Sequence, residues 1–264
     1  MRKRISAKEW ALRTELAAAY NVFAAYGWTH LIHTHITVKL PSDGRNEELF
    51  LINPFGLLWD EITASSIIKV KADGEIVDPG STNSKINPAG FKIHSAIHTS
   101  LRGQKEGDIS WIMHIHVNEV VAIATLKKGL IRGLSQYAMD LGGISYHNFE
   151  HATSQRTDVC QKLVDDLGPK NKVLLLRNHG AITVGKSVNE AFFLTYQLIE
   201  SCKVQLFTLS AAKNNNDYSI VPDETVESTF KIVQNQYTGD AFGKLEWEAA
   251  RRKMEKMYGK DYQL

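Results

Sequence analysis

The feature that most constrains this chain is an apolar run, Trp111-Ile-Met-His-Ile-His-Val117, that carries two histidines one residue apart. A run of this length and β-branched content reads as a buried strand, and strand neighbours two apart point to one face. His114 and His116 would therefore project side by side. Neutral imidazole is the commonest protein ligand for divalent transition metals, so the pair offers two nitrogens to one ion. The competing description is a pair of half-buried histidines in an ordinary strand.

A third histidine ends another apolar run, Lys172-Val-Leu-Leu-Leu-Arg-Asn-His179-Gly180. Val173 to Leu176 read as a central strand that stops at a tight turn, with Gly180 expected to supply a backbone φ that other residues avoid. His179 would then stand at a strand mouth, either bonding the turn or facing a cleft. Three histidines from two strands, with a coordination position left open, outline a catalytic rather than a structural metal site.

Composition narrows the setting. With 264 residues, 43% hydrophobic and 23% charged, the chain has ordinary globular make-up. A net charge of +2 gives no argument for nucleic acid or membrane binding. Met1-Arg-Lys-Arg4 is basic but lacks the apolar stretch of a secretory signal. Cys160 and Cys202 fall in helical patterns, which suits buried thiols better than a disulfide. The expectation is a soluble, cytoplasmic protein.

Along the chain, Ser6 caps a helix whose stripe runs from Trp10 to Ala24 and ends at Gly27. Residues 30–39 read as a strand, 48–53 as its neighbour, and 66–78 as a hairpin turning at Ala72-Asp73-Gly74. Phe91, His94, Ile97, His98 and Leu101 recur at helical spacing, with Gly103 beyond the end. A helix over 118–127, a strand over 144–149 and a helix over 154–167 follow. Residues 181–185 pair with the run before His179, and Ser187-Val-Asn-Glu190 opens a long helix to about 211. A polar linker, 212–217, precedes two amphipathic segments, 224–236 and 240–257. Strands interleaved with helices imply a layered α/β domain, here 5–212, with 213–264 as a linker and helical appendage that wraps a neighbouring subunit.

These segments, in this order, resemble the class II aldolase/adducin family. The resemblance is carried by Gly27-Trp28, Thr34-His35-Ile-Thr37, Asn53-Pro-Phe-Gly56, the Phe91–His98 helix, His114-Ile-His116, Tyr146-His147 and Arg177-Asn-His-Gly180. It implies a three-layer αβα sandwich around a mainly antiparallel sheet, assembled into homotetramers with the metal at a subunit boundary. It places the metal triad on His114, His116 and His179. The ion implied is divalent, zinc first, with manganese or iron compatible with the same ligands. Cleaving a C–C bond beside a carbonyl leaves an enediolate, whose charge a Lewis-acidic cation stabilises.

The chain departs from the sugar-phosphate enzymes of that family in three places. Their Ser-Ser-Glu run, which supplies phosphate donors and a general acid/base, reads Pro88-Ala89-Gly90. Their Thr-Pro-Thr-Gly turn reads Asn53-Pro54-Phe55-Gly56, and their Gly-Asn pair reads Thr34-His35. Each change points away from a sugar phosphate. The variants resemble the adducin-like branch, which includes the non-enzymatic head domains of cytoskeletal adducins.

Replacement proton carriers are sought in His35 and His147; Tyr146 reads either as a hydrogen-bond donor to substrate or, with more weight, as a buried strand tyrosine. Thr34, Asn53 and Gly90 are expected to line the substrate position. His94 and His98 read as packed helix histidines, and His30 and His33 as structural or surface positions.

Three functions remain open on sequence. One is a divalent-metal-dependent lyase acting on a small hydroxy- or oxo-carbonyl compound other than a sugar phosphate. The second is an adducin-like binding or scaffold module without catalysis. The third is a non-haem iron oxygenase or decarboxylase of the same family. Adducins carry a long tail ending in a basic segment, whereas Lys and Glu are interspersed here over the last expected helix, which favours the enzyme.

Overall fold

Alternation along the strands decides which face of the sheet each side chain joins, and that partition positions the site. The computed structural model describes residues 5–42, 47–82, 84–100, 109–150, 157–214, 217–236 and 242–264. Met1–Arg4, Leu101 and Gly103, residues 154–156 and 240–241, and part of the 212–217 linker lie outside the described residues. Eight strands form one sheet: β1 (His35–Lys39), β2 (Leu49–Ile52), β3 (Ile68–Lys71), β4 (Ile76–Asp78), β5 (Trp111–Ile115), β6 (Ile144–His147), β7 (Val173–Leu176) and β8 (Gly180–Gly185). Their order is β4-β3-β2-β1-β5-β8-β7-β6. Every pairing is antiparallel except β6 with β7.

One face carries the principal core. Met113, Ile115, Leu175 and Ala181 point into it and meet Leu16 and Phe23 of helix α1 (Ala7–Tyr26). Val120 and Ile123 of α3 (Asn118–Thr125), Ala138 of the short α4 (Gln136–Met139), and Phe192 and Leu198 of α6 (Val188–Ala211) complete that packing. The other face turns Ile112, Leu174 and Ile182 toward Ile97 of α2 (Pro88–Thr99) and Leu163 of α5 (Thr157–Leu167). Phe50, Ile52, Ile68 and Val70 extend this second layer to Phe91 of α2. The arrangement is the expected αβα sandwich with a mainly antiparallel sheet.

Helix ends follow the chemistry of the flanking residues. Ser6 accepts from the Glu9 amide, and Gly27, at φ 70°, closes α1 in a left-handed cap. Ser187 accepts from the Glu190 amide, while the Glu190 carboxylate receives the Lys186 amide and pairs with Lys172. The hairpin at Ala72-Asp73-Gly74 joins β3 to β4, with Gly74 at φ 90°.

Two local expectations are corrected. The strand read over 30–39 begins only at His35, because His30–His33 form a turn closed by the His33 amide on the His30 carbonyl, with Leu31 left-handed at φ 48°. The strand read over 144–149 ends at His147, where the Arg177 amide takes the His147 carbonyl and the chain leaves the sheet.

Beyond residue 217 lie α7 (Asp223–Gln236) and α8 (Lys244–Tyr258). Trp247, Ala250 and Met254 of α8 and Tyr262 are buried in the principal core, and the Trp247 indole donates to Glu15. The Ala64 and Ser65 amides bond to the carbonyls of Tyr262 and Leu264.

Candidate metal centre

The parity of β5 sends His114 to the face covered by α2 and α5, and His116 follows just past the strand end. β8 runs alongside, pairing His114 with Ile182, so the β7–β8 turn brings His179 back over both. The candidate ligand atoms of His114, His116 and His179 all lie within 4.8 Å of one another. Ring centroids are 4.5 Å apart for His114 and His116, 5.0 Å for His114 and His179, and 4.6 Å for His116 and His179.

The turn that delivers His179 depends on two residues in different ways. Asn178 holds the left-handed conformation at φ 59°, while Gly180 lies outside that region. The expectation that Gly180 supplies the unusual φ is therefore corrected. Gly180 is required for close approach, because a Cβ there would sit 2.2 Å from the Ile115 carbonyl oxygen and 3.0 Å from the His116 ring. Asparagine tolerates the left-handed region better than most residues.

Electrostatics favour neutral rings. Burial pushes His114 well below the ordinary histidine value, reinforced by neighbouring imidazoles. Burial, then the His179 ring, pushes His116 down to about 3, and burial also lowers His179. The His114 Nδ1 lies 3.0 Å from the Ala181 carbonyl oxygen, which can only accept, so Nδ1 carries the proton and Nε2 is left with a lone pair. That Nε2 faces the His116 Nε2 at 2.8 Å. Converging neutral nitrogens, one with its tautomer set by the backbone, fit a divalent cation better than they fit one another.

A second ring of histidines borders the triad. β1 pairs with β5 so that His35 stands directly opposite His114, with ring centroids 5.4 Å apart. His35 is buried against the His94 ring, with centroids 4.1 Å apart, and neither of its ring nitrogens has a hydrogen bond of normal geometry among the described residues. Burial lowers its pKa to about 4. Behind it, the Thr37 hydroxyl lies 2.8 Å from His94 Nδ1 and 2.9 Å from His98 Nε2, so both helix histidines pack as expected. At the mouth, His30 Nδ1 lies 3.0 Å from His116 Nδ1. His30 is exposed, as a structural or surface position should be, and its contact with His116 is one that local sequence does not encode.

The other candidates separate by strand parity. His147 shares the triad's face, and its Nδ1 lies 2.7 Å from the Asp166 carboxylate. Tyr146 points to the opposite face, where its hydroxyl accepts the Leu130 amide and Arg177 covers its ring at 4.3 Å. Tyr146 is not brought to the histidines. Nor is Asn53, whose amide oxygen accepts from Tyr20 at 2.8 Å inside the link between α1 and β1. Thr34 is buried, its hydroxyl unpartnered among the described residues, and it lines neither cavity at the site. Gly90 does line one, in the first turn of α2 under the Asn87 cap.

A cavity of about 300 Å³ covers the triad, bounded also by His35, Asn87 and Gly90. It adjoins a larger one of about 680 Å³, with Ala89, Ile93, Leu176 and His179 common to both walls. Open space beside three convergent imidazoles allows a substrate oxygen to approach a bound ion.

Comparison with known proteins gives a consistent picture. The family described as "Class II Aldolase and Adducin N-terminal domain" matches residues 14–206. Alpha-adducin of Rattus norvegicus is 43% identical over 204 residues, which cover 77% of this chain and 26% of that protein. The chain thus spans about a quarter of that relative's length. An aldolase II superfamily protein from Pseudomonas syringae superposes with a TM-score of 0.88 at 36% identity, covering 100% of this chain and 99% of the other. L-fuculose 1-phosphate aldolase from Glaciozyma antarctica superposes with a TM-score of 0.79 at 25% identity, covering 99% and 96%. Among the described residues, no helix is long and apolar enough to cross a membrane.

Proposed function

The chain belongs to the class II aldolase and adducin N-terminal domain family, and from that premise we propose that it is a divalent-metal-dependent lyase. Its substrate is a small hydroxy- or oxo-carbonyl compound without a phosphate. The single observation that carries this reading is the convergence of His114, His116 and His179 within 4.8 Å beside open space. These three residues hold the ion, zinc in the first instance. Bound there, it supplies Lewis acidity toward a substrate carbonyl.

The remaining work falls to the chain's own groups. His35, neutral and without a hydrogen bond of normal geometry, takes over proton handling at a ring nitrogen in place of the family's carboxylate. His147, backed by Asp166, is the second candidate at the outer wall. Gly90 makes room for the His35 ring and lines the substrate cavity beside it. Exclusion of a phosphate is supported by Pro88 and Ala89, which offer no hydroxyl, and by the engagement of Asn53 with Tyr20. Residues 5–212 form the catalytic domain, 213–264 its helical extension, in a cytoplasmic homotetramer.

A non-catalytic binding module is the second reading, favoured by the 43% identity to alpha-adducin. Turnover separates the two. Zinc-loaded protein should cleave a member of a hydroxy-ketone and hydroxy-acid panel, lose activity on chelation and regain it with zinc. A zinc-replete protein inert toward the whole panel would favour the binding module.

A further inference from the structure

We propose that the larger chamber selects a hydroxy- or oxo-acid bearing a branched aliphatic or aromatic group, an assignment that rests on the metal-dependent reading of the triad. The chamber holds about 680 Å³, more than a two- or three-carbon compound needs beside the histidines. Ile86, Phe91, Ile93, Val159, Leu163 and Leu176 give it an apolar side. Because Ile93, Leu176 and His179 also border the triad's own cavity, a ligand anchored at the histidines can extend directly into this space.

Three of the polar side chains on the inner wall are already engaged. The Arg177 guanidinium donates to the carbonyls of Ala124, Leu126 and Lys127, and His147 and Glu150 pair with Asp166 and Lys162. Against the apolar side a polyhydroxylated chain would lose water without matching partners, whereas an apolar group has no hydrogen bonds to forfeit. Each buried methylene tightens binding roughly fourfold.

Isothermal titration of zinc-loaded protein with pyruvate, 4-methyl-2-oxopentanoate and phenylpyruvate tests this, with zinc content measured on the same samples. The two larger acids should bind at least tenfold more tightly than pyruvate. Val159→Trp, which fills the chamber from α5, should abolish that advantage; should this variant misfold, the wild-type ranking alone decides. Equal affinities with zinc in place, or an advantage that survives in folded Val159→Trp, overturn the assignment while the metal site stands. Protein that retains no zinc and binds none of the three removes the proposed lyase function, and this assignment with it.

Discussion

The imidazole of His35 fills the space that any side chain at position 90 would require: a Cβ on Gly90 would lie 2.4 Å from His35 Cε1 and 2.9 and 3.0 Å from the two ring nitrogens. The family's acid/base glutamate and this histidine are thus mutually exclusive, and the glycine on α2 and the histidine on β1 read as one exchange. Gly90→Ala should destabilise by about 1–3 kcal/mol through overpacking. In the His35→Ala background the same change should cost much less, since the ring is gone. Urea denaturation of the four proteins of that cycle measures the coupling, and additive effects would separate the two positions.

The turn before β8 makes a second test. Asn178→Gly should keep full metal binding, because glycine adopts the left-handed conformation freely. Asn178→Val should cost about 1–2 kcal/mol and weaken zinc retention as His179 swings away. Gly180→Ala should be worse than either, with its Cβ driven against the Ile115 carbonyl. Metal titration with a colorimetric zinc indicator ranks the three.

Removing Asn53 and Tyr146 should touch stability and spare the site. Asn53→Ala leaves the buried Tyr20 hydroxyl one partner short, at about 1–2 kcal/mol. Tyr146→Phe strips the Leu130 amide of its acceptor on the sheet face opposite the triad. Both variants should bind zinc as the parent does; loss of zinc from either would restore it to the site.

Much of this site was legible in the chain. The His114–His116 spacing carried the strand face, and the apolar run before His179 carried the third histidine of the cluster. Period-two alternation could also have separated Tyr146 from His147, since adjacent residues of one strand cannot serve the same cleft. What escaped was register. That His35 lies opposite His114 depends on how β1 pairs across a gap of more than seventy residues, which no local pattern encodes. The distinct roles of Asn178 and Gly180 escaped for a similar reason, because a close approach is a property of the neighbouring strand.

Acid should unfold the protein through its buried histidines. His98 is held neutral, first by burial and then by the Lys39 cation, with its pKa lowered from 6.5 to about 3. His35 is lowered to about 4, mainly by burial. The unfolded chain therefore takes up protons that the folded chain refuses. The contribution of each is complete above pH 6.5 and falls by about 1.4 kcal/mol per pH unit as pH drops, toward 4 for His35 and toward 3 for His98. His98→Gln should lower the slope by up to one proton in urea unfolding at pH 7.5, 6 and 5. An unchanged slope would mean that His98 protonates in place.

The most direct test of the central claim is elemental analysis of protein purified without chelators, beside His114→Ala and His179→Ala. The expected result is about one divalent ion per folded parent chain and a large loss in both variants. A folded parent chain without metal that binds none when zinc is added would contradict the account.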